Sequence, residues 1–407
     1  MKNNNYRHHN GVSMKINVIT TVLALTLFQA TVAKAAEYII GADFSPTFNY
    51  DDNVELREEE EGSFVTKLTP TLLLSRAVEN ASISMDVGYR LERFASLSEL
   101  DRQDPFANIA GSYNTERSNY GLNAGYSERA QRAIADEDTG DFASNATVTS
   151  KSLAPSYQYQ FTERDFAYTS FSYNESTYDT SRFSDTETMS FTGGWRRNLS
   201  ERLTGGLALT YSQYESESEF IESEYDSYNF SVTSTYMMSE RWSFSGQVGY
   251  RTTDSETQSL FGGPSQTDRS AGSLFNFTAN YLGELNTLTS SLSRSLNPSG
   301  EGVVNETDRL SFTWIRNIAE TLSLSVNTTY QETQSVDDLS NTEREYLTFS
   351  PSLNWQLQRN LALKMGYQYR QQKGTSFGGF NTTGDKVDSN MVFLTVNYDW
   401  DGLRFSR

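Results

Sequence analysis

From Leu322 the sequence alternates: Leu322, Leu324, Val326 and Tyr330 fall on one face of an extended chain, Ser323, Ser325, Asn327 and Thr329 on the other. The pattern returns at Leu361, Leu363, Met365, Tyr367 and Tyr369, opposed by Ala362, Lys364, Gly366, Gln368 and Arg370. A period of two belongs to a β-strand with one apolar face. The runs recur along almost the whole chain and reach roughly 10–14 residues, where a soluble sheet needs only ~5–6 and a tilted bilayer crossing ~9–11. They predict an all-β protein: a transmembrane antiparallel up-and-down β-barrel that closes on itself.

Composition agrees once this architecture is assumed. Only every second strand residue meets lipid, so a polar average is expected. No internal stretch approaches the ~20 apolar residues of a spanning helix. The 24 Tyr and 24 Phe are enough for aromatic girdles at both membrane surfaces. A formal net charge of −19 argues against a nucleic-acid partner.

Residues 1–35 read as a secretory signal. Met14-Lys15 offers a second start, Val18 to Phe28 is apolar, and Ala33-Lys34-Ala35 predicts cleavage before Ala36. The barrel is expected over residues 36–407. There is no Cys, which excludes a lipoprotein anchor and disulfides. The two histidines, His8 and His9, precede the signal, so the expected mature chain has no imidazole.

Short polar turns punctuate the runs: Thr115-Glu116-Arg117, Thr162-Glu163-Arg164, Ser200-Glu201-Arg202 and Ser239-Glu240-Arg241. Looser turns stand at Val78 to Ala81, Gly283-Glu284-Leu285, Ala319-Glu320-Thr321 and Gln358-Arg359-Asn360. Two long strands per turn-to-turn interval favour a barrel over a propeller, whose blades pack four short strands into that length. Strands are predicted to begin near Tyr38, Phe64, Ser82, Pro105, Tyr120, Val148, Phe166, Thr188, Leu203, Tyr228, Trp242, Ala271, Thr287, Leu310, Leu322, Tyr346, Leu361 and Met391. About 18 strands, an even number, return the chain to the side it entered, with short turns in the periplasm and longer acidic loops outside. The last run, Val392, Leu394, Val396, Tyr398 and Trp400, suits recognition by barrel-assembly machinery, although the tail continues through Phe405.

The acidic loops are Asp51 to Glu61, Asp136 to Asp141, Glu215 to Asp226 and Glu332 to Glu345. They read either as cation-binding carboxylates or as a solvated, self-repelling rim; none has the ligand spacing of a calcium motif. Opposite the apolar parity fall Lys67, Arg90, Lys151, Arg196, Arg251, Arg309, Lys364 and Arg370, with Asp43, Asp86 and Glu92 as their acidic counterparts. A basic lumen inside an acidic protein would attract anions or an anionic polymer. Alternatively, these bases pair with carboxylates and brace the barrel. Arg294 and Arg316 fall on the lipid parity, which leaves the register of their strands open. No metal or cofactor is expected, and without histidine the chain does not read as an enzyme. No N-terminal plug precedes the first strand and the longest loops are short, so an open, water-filled lumen is expected.

The signal, the immediate first strand, the serine-glutamate-arginine turns and the acidic loops together resemble the β-barrel porin 2 family, over Ala36 to Arg407. The resemblance implies a place in the outer membrane among lipid and lipopolysaccharide, and a secreted polysaccharide as cargo. It also implies periplasmic export components as partners. The alternatives are a diffusion porin for small anions and a non-conducting structural or adhesive barrel.

Overall fold

The computed structural model describes residues 36–218, 221–259, 265–336, 343–375 and 386–406. The predicted signal lies outside them, as do parts of the loops that follow Asp254 and Glu332. Eighteen strands follow in chain order: β1 (Glu37–Asp51), β2 (Ser63–Val78), β3 (Ala81–Phe94), β4 (Arg102–Asn114), β5 (Ser118–Ala130) and β6 (Thr147–Gln160). Next come β7 (Asp165–Tyr178), β8 (Asp185–Asn198), β9 (Leu203–Glu217), β10 (Ile221–Met237), β11 (Trp242–Ser259) and β12 (Gln266–Leu282). The last are β13 (Asn286–Pro298), β14 (Val304–Ala319), β15 (Leu322–Ser335), β16 (Glu343–Gln358), β17 (Leu361–Thr375) and β18 (Val387–Ser406). Each pairs antiparallel with its sequence neighbours, and β1 also pairs with β18, so the sheet closes into a barrel.

The four hydroxyl-led turns have a common cause. The side chains of Thr162, Ser200 and Ser239 accept the backbone N–H groups two and three residues on, and Thr115 accepts that of Ser118 at 2.9 Å. The hydroxyl thus satisfies donors that a tight hairpin leaves unpaired.

Strands leaving these turns begin within two residues of the sequence reading. Strands arriving from the long-loop end begin earlier, most of all β10, seven residues before Tyr228. There the outward positions Glu222, Glu224 and Asp226 are acidic, because the sheet has risen above lipid and no apolar signal is needed. Much of the expected Glu215 to Asp226 loop is therefore strand.

Below that level the outer face carries Phe44, Phe48, Leu209, Phe230, Val248, Leu310, Phe312 and Leu394, with Leu209 65% exposed. Such a band is tenable only in an apolar surrounding. All five Trp face outward near the short-turn end, at 195, 242, 314, 355 and 400. The rings of Tyr50 and Phe64, and of Tyr211 and Tyr228, meet at 5.1 Å toward the other end.

β18 runs on to Ser406. A register shift opposite Ile40 and Ala42, with Gly402 at φ +72, moves Leu403 and Phe405 onto the outward face. A Cβ on Gly402 would lie 2.0 Å from the Ile40 carbonyl, so only glycine fits. The terminal aromatic is thus part of the last strand.

The buried apolar core is not in the middle of the barrel. Its three clusters, around Val65 and Phe94, Leu56 and Phe142, and Tyr225 and Val304, all lie at the long-loop end. The expected open lumen is corrected here: inward-folded loops span that mouth.

Candidate functional site: the lumen and its mouth

Strand pairing fixes which side chains share the lumen. Seven of the eight predicted bases are on the inner face. Lys151 is not: it is level with Tyr126 and Glu175 and shares the parity of Leu153, Tyr157 and Tyr159, all outward. Val148 misleads the parity, because it is buried under the mouth rather than in lipid. Lys151 bonds Glu175 at 2.9 Å on the outer surface. Asp43, Asp86 and Glu92 are on the inner face, where Asp43 lies directly opposite Asp399 and Asp86 accepts Asn108 at 2.7 Å.

The seven inner bases divide into two groups. Lys67 meets Glu92 at 2.8 Å, Arg251 meets Glu306 at 2.8 Å, Arg309 meets Glu137 at 3.2 Å and Arg370 meets Asp51 at 2.7 Å. These four are paired with carboxylates, as the bracing alternative expects, and only Arg251 and Arg370 are largely buried in their pairs. Arg90, Arg196 and Lys364 have no carboxylate within 4 Å among the described residues. Instead each lies over an inward phenyl ring: Arg90 on Phe106 at 4.3 Å, Arg196 on Phe166 at 5.2 Å and Lys364 on Phe393 at 5.7 Å. Arg196 and Lys364 are both near the short-turn end, on β8 and β17, nine places apart in an 18-strand ring and so on opposite walls. Arg90 is higher, on β3, and its Nη1 is buried without a hydrogen-bond partner.

Between them the wall is hydroxyl and amide. Inner-face pairs include Ser190 with Ser212 at 2.7 Å, Thr192 with Thr210 at 3.0 Å, Ser82 with Ser112 at 2.8 Å and Thr47 with Thr395 at 2.8 Å.

The mouth is organised by residues 131–146, between β5 and β6. At its base Arg132 bonds Glu92 at 2.9 Å. The loop then crosses the barrel: the Asp136 carbonyl accepts Gln331 of β15 at 2.6 Å, the Asp138 carbonyl accepts Arg344 of β16 at 2.5 Å, and the Gly140 carbonyl accepts Gln372 of β17 at 3.0 Å. Phe142 stacks on Tyr346, ring centroids 5.5 Å apart. The Asp138 carboxylate accepts Gln131 at 2.9 Å, the Tyr178 hydroxyl at 2.5 Å and the Gly300 N–H at 2.7 Å. Burial, reinforced by neighbouring Glu137, pushes the Asp136 carboxyl above its ordinary range. Burial likewise raises Glu55 in the loop after β1, against the pull of Arg57. Sequence reasoning missed Asp138, Glu301, Glu306 and Arg344. The available signal was Ile134, Ala135 and Phe142, apolar residues a solvated acidic loop has no use for.

The parity of Arg294 and Arg316 is confirmed. Arg294 pairs across strands with Asp308 and reaches Glu306 at 3.1 Å, and Arg316 lies opposite Asn286 near the short-turn end.

A closed 18-strand barrel with a lipid-facing band and a polar lumen defines a channel-type barrel of the outer membrane. Among solved structures it is similar to OpdL of Pseudomonas aeruginosa, at 12% identity over 90% of this chain and 99% of that one, TM-score 0.44. It is also similar to OccAB4 of Acinetobacter baumannii, at 11% identity over 91% and 99%, TM-score 0.45. The ferric-catecholate import receptor Fiu of E. coli K12 is similar at 9% identity over 88% and 81%, TM-score 0.47. No family model and no curated protein matches the chain.

Proposed function

We propose that this chain is an outer-membrane channel through which an acidic polysaccharide leaves the cell. The supporting observation is the pair of cation–ring couples on the lumen wall, Arg196 with Phe166 and Lys364 with Phe393. A sugar ring packs its C–H face on the half-buried Phe166 or Phe393 while its carboxylate meets the neighbouring guanidinium or ammonium. The two couples flank the short-turn entrance from opposite walls, and Arg90, over the buried ring of Phe106, adds positive charge on the way to the mouth. The hydroxyl pairs between them supply weak, repeated hydrogen bonds, which let a hydrated chain slide without being trapped. The β-barrel porin 2 resemblance points to the same class of cargo and to periplasmic export components at the turns.

A second reading is a diffusion porin for small anions, favoured by the 131–146 loop that narrows the mouth. Deleting the gene separates the two. Loss of surface polysaccharide with unchanged growth on small nutrients supports export. Slower uptake of an anionic nutrient, with the polysaccharide intact, supports the porin. A barrel that gives no conductance in planar bilayers under any condition would be neither.

A further inference from the structure

The wall is not paired to the same height all round. β12 pairs with β11 from Gln266 up to Tyr281, but with β13 only between Phe275–Leu282 and Thr287–Arg294. Above the Phe275–Arg294 pair, Gln266 to Leu274 have no strand on the β13 side among the described residues, while β13 continues to Pro298 paired with β14 alone. The upper β13–β14 hairpin has swung away from β12 into the lumen, while β14 stays paired with β15 up to Asn305 and Ser335, and the Val304 carbonyl accepts the Val336 N–H at 3.0 Å.

Its contacts show where it went. Leu296 and Val304 are buried against Tyr225, with Tyr214 and Leu274 packed around them, and those three wall residues face inward. Glu306 is held by Arg251 of the inner wall and by Arg294. At the tip, the Gly300 carbonyl accepts the Ser184 N–H at 2.8 Å, the Gly300 N–H goes to Asp138, and Glu301 meets Arg344 of β16 at 3.3 Å. The tip therefore bridges the β7–β8 loop and a strand eight places further round the ring.

We propose that this hairpin is a gate with two seats, one tucked into the mouth and one in the wall beside β12. Three features support it. The β12 edge is a row of backbone donors and acceptors ready for a strand. Continuing the existing register sets Leu274, Ser273 and Gly272 opposite Ser295, Leu296 and Asn297. Pro298, which has no N–H to give, would then mark where pairing stops. On its free side the tucked seat is held by ion pairs, hydrogen bonds at the tip and one small apolar cluster, while its other edge stays paired with β15, the hinge about which it turns. Moving it outward removes Gly300 and Glu301 from the mouth and releases Asp138, the hub of the 131–146 loop. One motion thus opens both obstructions. The device is independent of which solute passes.

The chain has no Cys, so engineered pairs report cleanly. A Cβ on Gly302 would lie 3.7 Å from that of Ser184, within disulfide range, so Ser184→Cys/Gly302→Cys locks the tucked seat. Gly302 has φ +85, a strain shared by the oxidised and reduced forms. Ser273→Cys/Leu296→Cys reports the wall seat, because Ser273 faces outward while tucked Leu296 lies against the inner side of β12. Each full-length variant, shown to be folded by its heat-modifiable migration, is oxidised mildly and followed by gel and by conductance. We expect both pairs to cross-link. The first should lose the upper conductance level and regain it on reduction, and the second should hold it. Absence of the Ser273–Leu296 cross-link in folded barrels overturns the gate whether or not the barrel conducts. Both cross-links forming with identical conductance traces also overturns it.

Discussion

The carboxylate of Asp138 accepts the backbone N–H of Gly300 at 2.7 Å, joining two loops 162 residues apart in sequence across the mouth of the barrel. Its other oxygen holds Gln131 and Tyr178, so a single side chain ties the crossing loop to the β13–β14 tip and to β7. Hydrogen bonds to a charged group are each worth about 1.5–3 kcal/mol when buried. Asp138→Ala should therefore free the mouth without harming the barrel. Single-channel recordings should show higher conductance and frequent level changes, with unaltered heat-modifiable migration. An unchanged trace would mean that the loop does not obstruct permeation.

Selectivity should depend on the bases that stand over rings. Arg196→Glu/Lys364→Glu is expected to move the reversal potential away from anions. Lys151→Glu should leave it where it is, since that residue is on the outer surface. A shift in the Lys151 variant equal to that in the double variant would contradict the inner and outer assignment.

Arg251 and Glu306 test bracing rather than selectivity. Both side chains are nearly buried, and removing one partner of such a pair costs about 3–5 kcal/mol because the other charge is stranded. Glu306→Gln should lower the temperature at which the upper barrel becomes protease-sensitive. Arg251→Met/Glu306→Leu should recover most of that loss.

Acidity should tighten the mouth. The Asp136 carboxyl is raised in the closed loop, so closure favours its protonated form. Its contribution is fully present below the ordinary carboxylate range and is lost as pH rises through the raised value. Conductance is expected to fall on acidification through that window. Asp136→Asn, a mimic of the protonated acid, should reduce conductance at neutral pH and flatten the profile. A variant with the full parental pH response would assign the effect to another group, such as Glu55.

The strand count, the short turns, the outward band and the inner position of seven bases were all legible in the sequence. Each depends on a period of two or on a local hydroxyl acceptor, which neighbours in sequence settle. The signal weakened where the sheet leaves lipid, because at Glu222, Glu224 and Lys151 both faces are polar and parity no longer marks a side. Among the partners of the bases, the sequence singled out only Glu92, which holds Lys67. Arg251 with Glu306, Arg309 with Glu137 and Arg344 with Glu301 join segments that only ring closure and inward folding bring together. The same holds for the mouth. Phe142 announces a need for burial, but its partner Tyr346 stands on β16, eight strands from β6 round the ring, and nothing local in the sequence encodes that distance.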